Sequence, residues 1–327
     1  MNAGGKMIWI LGNKGQSGSE ICHVLTENKI SWIASDTELD VCDTYALEKF
    51  VLSHDREAGR TGSAVEKGKV PEKITWVINC LEYQDFSETD EAKIKAENFN
   101  VKGALNIARL SRQLGAKLIH ISSAYVYEGE DQGLYTEESL LNPITFYGKT
   151  KVLAEEAIQK EMNQYYIIRP GWLYGFEGNN LIYNLIRKIA YATNASVLND
   201  KFGMPLSARD LANLILKIIL TSEKAKALFG KKAGLPYGIY NFASSESVSL
   251  YDLAGKLYDY SKHYKKITND CDISAIYGQD DSMNIFLPPY LNLDCKKIIQ
   301  GLKIKKIKWT DSLEKFVKDK NFIPGKF

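Results

Sequence analysis

KMIWILGNKGQSG, residues 6–18, joins an apolar run to a turn carrying three glycines. Lys6–Leu11 has the length and composition of a buried strand. Gly12, Gly15 and Gly18 follow at GxxGxxG spacing, and helical spacing covers Gly15–Asn28. Gly12 would end the strand in a tight turn. Gly15 would let backbone approach a pyrophosphate, and Gly18 would let helix pack close to strand. The helix start offers free N–H groups and a positive dipole end to phosphates. Strand, turn and helix in this order predict a dinucleotide cradle made of Gly12, Asn13, Lys14, Gly15, Gln16, Ser17 and Gly18.

Further along, short apolar runs alternate with helical patterns. Strands are predicted at Ile30–Ser35, Ile74–Cys80, Ala116–Ser123 and Tyr165–Gly171, and helices at Thr44–Ser53, Ala92–Leu114 and Phe146–Met162. This rhythm predicts an α/β fold of Rossmann type, a doubly wound parallel sheet with ligands at the strand C-terminal edge. Residues 56–73 are polar and charged and read as a surface insertion. After about residue 170 the rhythm loosens. Helices are expected at Leu181–Ala192, Ala208–Leu220, Leu250–Tyr264 and Asp311–Asp319, and strands at Ser196–Leu198 and Gly238–Ala243. Residues 1–170 are thus a nucleotide-binding domain. Residues 171–327 are mainly a smaller mixed α/β substrate lobe, with some segments returning to the first domain.

The whole chain has 327 residues and a net charge of +2, from 42 basic and 40 acidic side chains. That balance gives no electrostatic case for nucleic acid or membrane partners. No run approaches the length of a membrane span or a signal core, so a cytoplasmic protein is expected. The five cysteines form no CxxC pair and read as reduced thiols. The four histidines form no metal-type cluster, so no metal is expected.

Asp36 lies 18 residues after Gly18, just beyond the second strand. An acid there takes the adenosine ribose hydroxyls of NAD. Lys14, inside the turn, would favour the 2′-phosphate of NADP, so NADH and NADPH both stay open. Asp40 and Val41 would border the adenine, and Cys80 and Leu81, at the third strand's end, would border the cofactor.

Tyr147 and Lys151 form a YxxxK pair on one helix face. Tyr45/Lys49 and Tyr258/Lys262 have the same spacing, so context decides. Tyr147 alone follows a strand ending in serines, 24 residues after Ser123. A free tyrosine has a pKa of about 10, and a nearby ammonium and a positive nicotinamide would lower it. Tyr147 would then protonate the oxygen of a carbonyl receiving hydride, Ser123 would fix that oxygen, and Lys151 would hold the nicotinamide ribose.

With ISSAYVY (Ile121–Tyr127), YGKTK (Tyr147–Lys151) and RPGWLYG (Arg169–Gly175) in order, the chain resembles extended short-chain dehydrogenases/reductases. More narrowly, it looks like the dTDP-4-dehydrorhamnose reductase family. Gly12–Gly18 matches its GxxGQxG turn, and Val77–Cys80 matches part of its VINxxA strand. Ser122–Tyr127 corresponds to its STDYVF run, Trp172–Leu181 to WxYGxGNNF and Asp200–Leu206 to DQxGxPT. The resemblance implies NADPH or NADH as cofactor and a dTDP-linked keto sugar as substrate, with Ser123, Trp172, Asn180, Phe202 and Pro205 near the sugar. It leaves a homodimer open. Three departures stand out. Ala124 replaces an acid, CLEYQDFSE follows Asn79 where the family has AAxTxVDxxE, and Leu287-Pro288 stands where the family has arginine-proline.

The leading expectation is reduction of a 4-keto-6-deoxy sugar nucleotide, for dTDP-rhamnose and polysaccharide biosynthesis. A nucleotide-sugar epimerase would use the same three residues while keeping its NAD bound. A non-catalytic, nucleotide-binding regulatory subunit fits the altered substrate positions but not the intact Ser123, Tyr147 and Lys151.

Overall fold

The computed structural model describes residues 6–60, 73–87, 89–227, 234–278 and 286–326. The first half runs β1 (Lys6–Leu11), α1 (Gln16–Glu27), β2 (Trp32–Ser35), α2 (Thr44–Arg60), β3 (Lys73–Asn79), α3 (Asp90–Ala96), a π-helical stretch (Glu97–Lys102), α4 (Gly103–Leu114), β4 (Lys117–Ile121), α5 (Phe146–Glu161) and β5 (Tyr165–Pro170). The second half adds β6 (Trp172–Tyr174), α6 (Leu181–Ala190), β7 (Asn194–Leu198), β8 (Phe202–Gly203), β9 (Pro205–Ser207), α7 (Ala208–Ala227) and β10 (Gly238–Phe242). It closes with β11 (Val248–Ser249), α8 (Leu250–His263), β12 (Asp272–Ile276), β13 (Tyr290–Leu291), α9 (Lys296–Leu302) and α10 (Trp309–Lys318).

Six strands form one sheet in the order β10-β5-β4-β3-β1-β2, each pair parallel. Chain order reverses between β1 and β3, which opens a crevice beyond their C-terminal ends. Side chains alternate between the two faces of the sheet. Met7, Trp9 and Leu11 pack with Val41, Leu47, Ile107 and Ile158 on one face. Ile8 and Ile10 pack with Ile21, Leu25, Leu211 and Ile215 on the other. The predicted strand at Gly238–Ala243 is β10, and it completes the main sheet beside β5.

Some boundaries differ from the sequence reading. Helix α2 continues past Ser53 to Arg60, so residues 56–60 of the expected insertion are helical. Lys73 opens β3, and residues 61–72 lie outside the described residues. The helix expected from Ala92 to Leu114 begins at Asp90, where Thr89 caps it by accepting the Ala92 N–H at 3.3 Å. Its π-helical stretch turns Asn100 inward, where it donates to the Tyr83 carbonyl and to Thr150 Oγ1, both at 2.9 Å, and accepts the Tyr83 N–H at 2.7 Å. This side chain ties the loop after β3 to α5.

Short strands of the second half escaped the sequence reading. β6 pairs with β9, and β8 lies between β11 and β13. Runs of two or three residues show no periodicity to read.

Candidate active site

The turn after β1 is set by backbone approach. Gly12 has φ +86°, and a Cβ there would lie 3.0 Å from both Cys80 C and Leu81 N. A Cβ on Gly18 would lie 2.1 Å from the Gly12 carbonyl oxygen. Gly15 is exposed, its nearest such contact being 3.6 Å, so the protein itself does not demand glycine there. Gly15 begins α1 with no side-chain cap, which leaves that helix end open to an anion. The Gln16 Oε1 is buried without a protein partner. Asn13 is half-buried, Lys14 exposed and Ser17 buried.

Asp36 sits buried at the tip of β2, and its carboxylate accepts the N–H groups of Lys14 and Thr37, each at 2.8 Å. This fastens the turn to β2. Lys14 reaches Glu38 at 2.7 Å, an exposed pair that raises the lysine pKa and lowers that of the acid, chiefly through their hydrogen bond. Asp40 accepts the Cys42 N–H at 2.8 Å. Val41 is fully buried against α4, and its carbonyl accepts Asn106 Nδ2 at 3.0 Å. The residues present fit a dinucleotide: a strained glycine turn, an uncapped helix start, an unpartnered buried amide oxygen and an acid at the next strand tip.

Strand β4 ends at Ile121, two residues short of the expected Ser123; Ser122 and Ser123 follow its tip, and α5 delivers Tyr147 and Lys151 opposite them. Thr145 caps α5 by accepting the Gly148 N–H at 3.0 Å. A Cβ on Gly148 would lie 2.2 Å from the Tyr125 carbonyl oxygen, so glycine lets the helix seat against the turn after β4. A buried network holds this corner. Arg169 of β5 pairs with Glu155 of α5, Ser122 donates to the same carboxylate, and Arg169 donates to the Tyr127 hydroxyl at 2.8 Å. Tyr127 in turn donates to Asn241 Oδ1 of β10 at 2.9 Å.

The Tyr147 hydroxyl donates to Glu82 Oε2 at 2.7 Å. The Ser123 hydroxyl lines the same cleft as the phenol and accepts the Tyr125 N–H at 3.2 Å. Lys151 Nζ donates to the Ile121 carbonyl at 2.8 Å and sits 3.5 Å from Glu82 Oε2. Burial, then the Glu82 charge and hydrogen bond, push the Tyr147 phenol well above its ordinary pKa. The lowered pKa expected from Lys151 is therefore reversed in the chain by itself, because burial disfavours the phenolate and the Glu82 charge adds to that. The phenol is held as a proton donor. Phe86 and Tyr125 wall it, each ring centroid 5.7 Å from that of Tyr147.

One cleft of about 320 Å³ brings Gln16 and Ser17 of the turn together with Cys80, Ser123 and Tyr147. Leu81 flanks it, its N–H bonded to Asn79 Oδ1 at 3.1 Å. Trp172 and Asn180 line the far side. Trp172 Nε1 and Asn184 Nδ2, both buried, have no protein partner. Asn180 also caps α6 and donates to the Gly175 carbonyl at 2.9 Å. Phe202 and Pro205, expected near the sugar, do not line this cleft. Phe202 stacks on Tyr290 at 5.5 Å, and Pro205 pairs with Trp172 in the short β6–β9 ladder. Leu287, in place of the family arginine, is buried at the cleft edge.

Sequence reasoning missed Glu82, Phe86 and Asn184 as lining residues. For Glu82 the signal was the departure CLEYQDFSE itself. No group of acidic, histidine or cysteine side chains suited to a metal occurs among the described residues. No described helix is long and apolar enough to cross a membrane.

The chain is similar over nearly its full length to proteins described as dTDP-4-dehydrorhamnose reductases. It is 26% identical over 310 residues to a dTDP-4-dehydrorhamnose reductase of Aggregatibacter actinomycetemcomitans, covering 93% of this chain and 96% of that protein. The crystal structure of a dTDP-4-dehydrorhamnose reductase from Clostridium acetobutylicum superposes with a TM-score of 0.77 at 27% identity, over 95% of this chain and 98% of that one. That of a dTDP-4-dehydrorhamnose reductase from Bacillus anthracis in complex with NADP gives 0.78 at 25% identity, with the same coverages, 95% and 98%. The model of the family described as the RmlD substrate binding domain matches residues 6–322, and the chain belongs to that family.

Proposed function

We propose that this protein is an NAD(P)H-dependent reductase of a nucleotide-linked 4-keto-6-deoxy sugar, acting in the supply of dTDP-rhamnose for polysaccharide. The observation that carries this reading is the single cleft onto which the glycine turn, Ser123 and Tyr147 open. The relatives named as dTDP-4-dehydrorhamnose reductases, one of them solved with NADP, support it. Residues 171–327 supply most of the substrate side in this reading, while α7 and β10 return to the main sheet.

The cofactor supplies hydride when bound. The turn from Gly12 to Gly18 and the start of α1 would hold its pyrophosphate, and Asp36 would take its adenosine ribose. Ser123 and Tyr147 converge on the substrate oxygen, so the carbonyl is polarised as its carbon receives hydride. Tyr147, held protonated by burial, gives that oxygen its proton. Lys151 keeps its ammonium one helical turn away, pinned to the Ile121 carbonyl. Phe86, Tyr125 and Trp172 give the cleft aromatic walls around the reacting atoms.

The test is to mix the protein with the dTDP-linked 4-keto-6-deoxy sugar and NADPH or NADH and follow the nicotinamide absorbance. Stoichiometric oxidation is expected, with Tyr147→Phe slower by about a hundredfold or more. Absence of oxidation by the wild-type protein, with NAD retained through purification, would instead mark an epimerase.

A further inference from the structure

The cleft holds a carboxylate that the hydroxyl, phenol and ammonium chemistry does not use. Glu82 accepts the hydrogen bond of the Tyr147 hydroxyl at 2.7 Å and lies 3.5 Å from the Lys151 ammonium. It is also the wet member of the group. Tyr147 is 2% exposed, Ser123 8% and the Lys151 side chain 1%, whereas the Glu82 side chain is 31% exposed. We propose that Glu82 is the group through which Tyr147 exchanges its proton with solvent, an inference that rests on the reductase reading.

Each turnover demands such an exchange. The carbonyl carbon receives hydride, the C=O π pair moves onto oxygen, and that oxygen takes the Tyr147 proton. A phenolate is left, buried, beside the Glu82 carboxylate. A buried phenolate beside a carboxylate is unfavourable, so a proton must arrive. Glu82 binds one from water and passes it to the phenolate oxygen. The Tyr147 O–H is re-formed and Glu82 returns to carboxylate. The sum is one hydride and one solvent proton added to the carbonyl.

The surroundings leave Glu82 as the route. Tyr125, from the turn after β4, faces the phenol but is itself pushed far above its ordinary pKa by burial. Cys80 is likewise pushed up by burial, and His120 of β4 is pushed well below its ordinary value by burial and by Lys151. Asp85 is engaged with the Ser87 N–H at 2.8 Å and the Tyr83 hydroxyl at 3.0 Å. Glu155 is locked against Arg169. The loop carrying Glu82 is fastened by Asn100 through both main-chain groups of Tyr83, which fixes the carboxylate within reach.

Two measurements test this. Near-ultraviolet absorbance of the cofactor-free protein follows phenolate formation, and the Tyr147 contribution is the part missing from Tyr147→Phe. Glu82→Gln removes the charge at nearly constant shape, and its Tyr147 is expected to ionise about one pH unit lower or more. Steady-state kinetics of Glu82→Ala should show kcat down about tenfold or more, KM for both reactants nearly unchanged, and kcat rising with added formate. Tyr147 ionising at the same pH with and without Glu82 would overturn the proposal, as would a Glu82→Ala enzyme with wild-type kcat at every pH. A wild-type protein that oxidises no cofactor sinks the reductase reading instead, and the absorbance titration still decides the pairing.

Discussion

Gly18 lies so close to Gly12 that a methyl group on it would sit 2.1 Å from the Gly12 carbonyl oxygen. Neither neighbour can yield cheaply, since both are backbone. Gly18→Ala must therefore push α1 off the end of β1. The expected cost is about 1–3 kcal/mol of stability. NADPH affinity should fall about tenfold or more, because the helix start moves away from the pyrophosphate. Thermal melts and fluorescence titration with NADPH check both. A variant that binds NADPH as tightly as wild type would remove the turn from the cofactor site.

Arg169 and Glu155 form an ion pair with each side chain 1% exposed. Removing one partner strands the other charge away from water. Arg169→Met and Glu155→Gln should each destabilise by about 3–5 kcal/mol, measured by urea unfolding. The double variant should recover much of that loss. A double variant as unstable as the sum of the singles would show that the two residues act separately.

His120 is buried, its Nδ1 faces Asn79 Nδ2 at 3.1 Å, and burial with Lys151 holds its pKa well below the ordinary value. Unfolded, the ring protonates at about pH 6.5, and in the window below that the unfolded chain binds a proton the folded one refuses. Stability is full above this window and falls as pH drops through it, by up to about 1.4 kcal/mol per pH unit. His120→Gln should flatten that acid slope in urea midpoints taken from neutral to mildly acid pH. An unchanged slope would assign the loss to other groups.

Leu287 closes the cleft where the family resemblance leads one to expect an arginine, and Tyr125 holds this segment by donating to the Phe286 carbonyl at 2.7 Å. Leu287→Arg should lower KM for the dTDP-linked keto sugar, since a guanidinium pairs with phosphate oxygens. Kcat should stay within about twofold, because the change is made to binding alone. A raised KM would show that this edge does not meet the nucleotide phosphates.

The glycine turn, the serine-ended strand and the tyrosine–lysine helix were legible because each is a local pattern whose residue types have few other uses in that order. Spacing alone marks Gly18 for close packing of helix on strand, and a Cβ there would lie 2.1 Å from the Gly12 carbonyl oxygen. The span of α2 was less legible. The polar residues that follow Ser53 resemble a loop in composition, yet the helix continues to Arg60. Glu82 was visible only as a mismatch with the family run. Its meaning depended on Asn100, which reaches back 17 residues from a π-helical stretch to hold the neighbouring Tyr83.

The sequence by itself determined the parallel α/β architecture, the glycine turn from Gly12 to Gly18 and the grouping of Ser123, Tyr147 and Lys151. Strand period, glycine spacing and helical register are short-range properties that the chain carries locally. Only the tertiary structure decided that the Tyr147 hydroxyl donates to Glu82, that Lys151 is tied to Ile121, and that Phe202 and Pro205 stay out of the cleft lining. Those outcomes depend on contacts between segments far apart in the chain, where packing and burial set which polar groups meet.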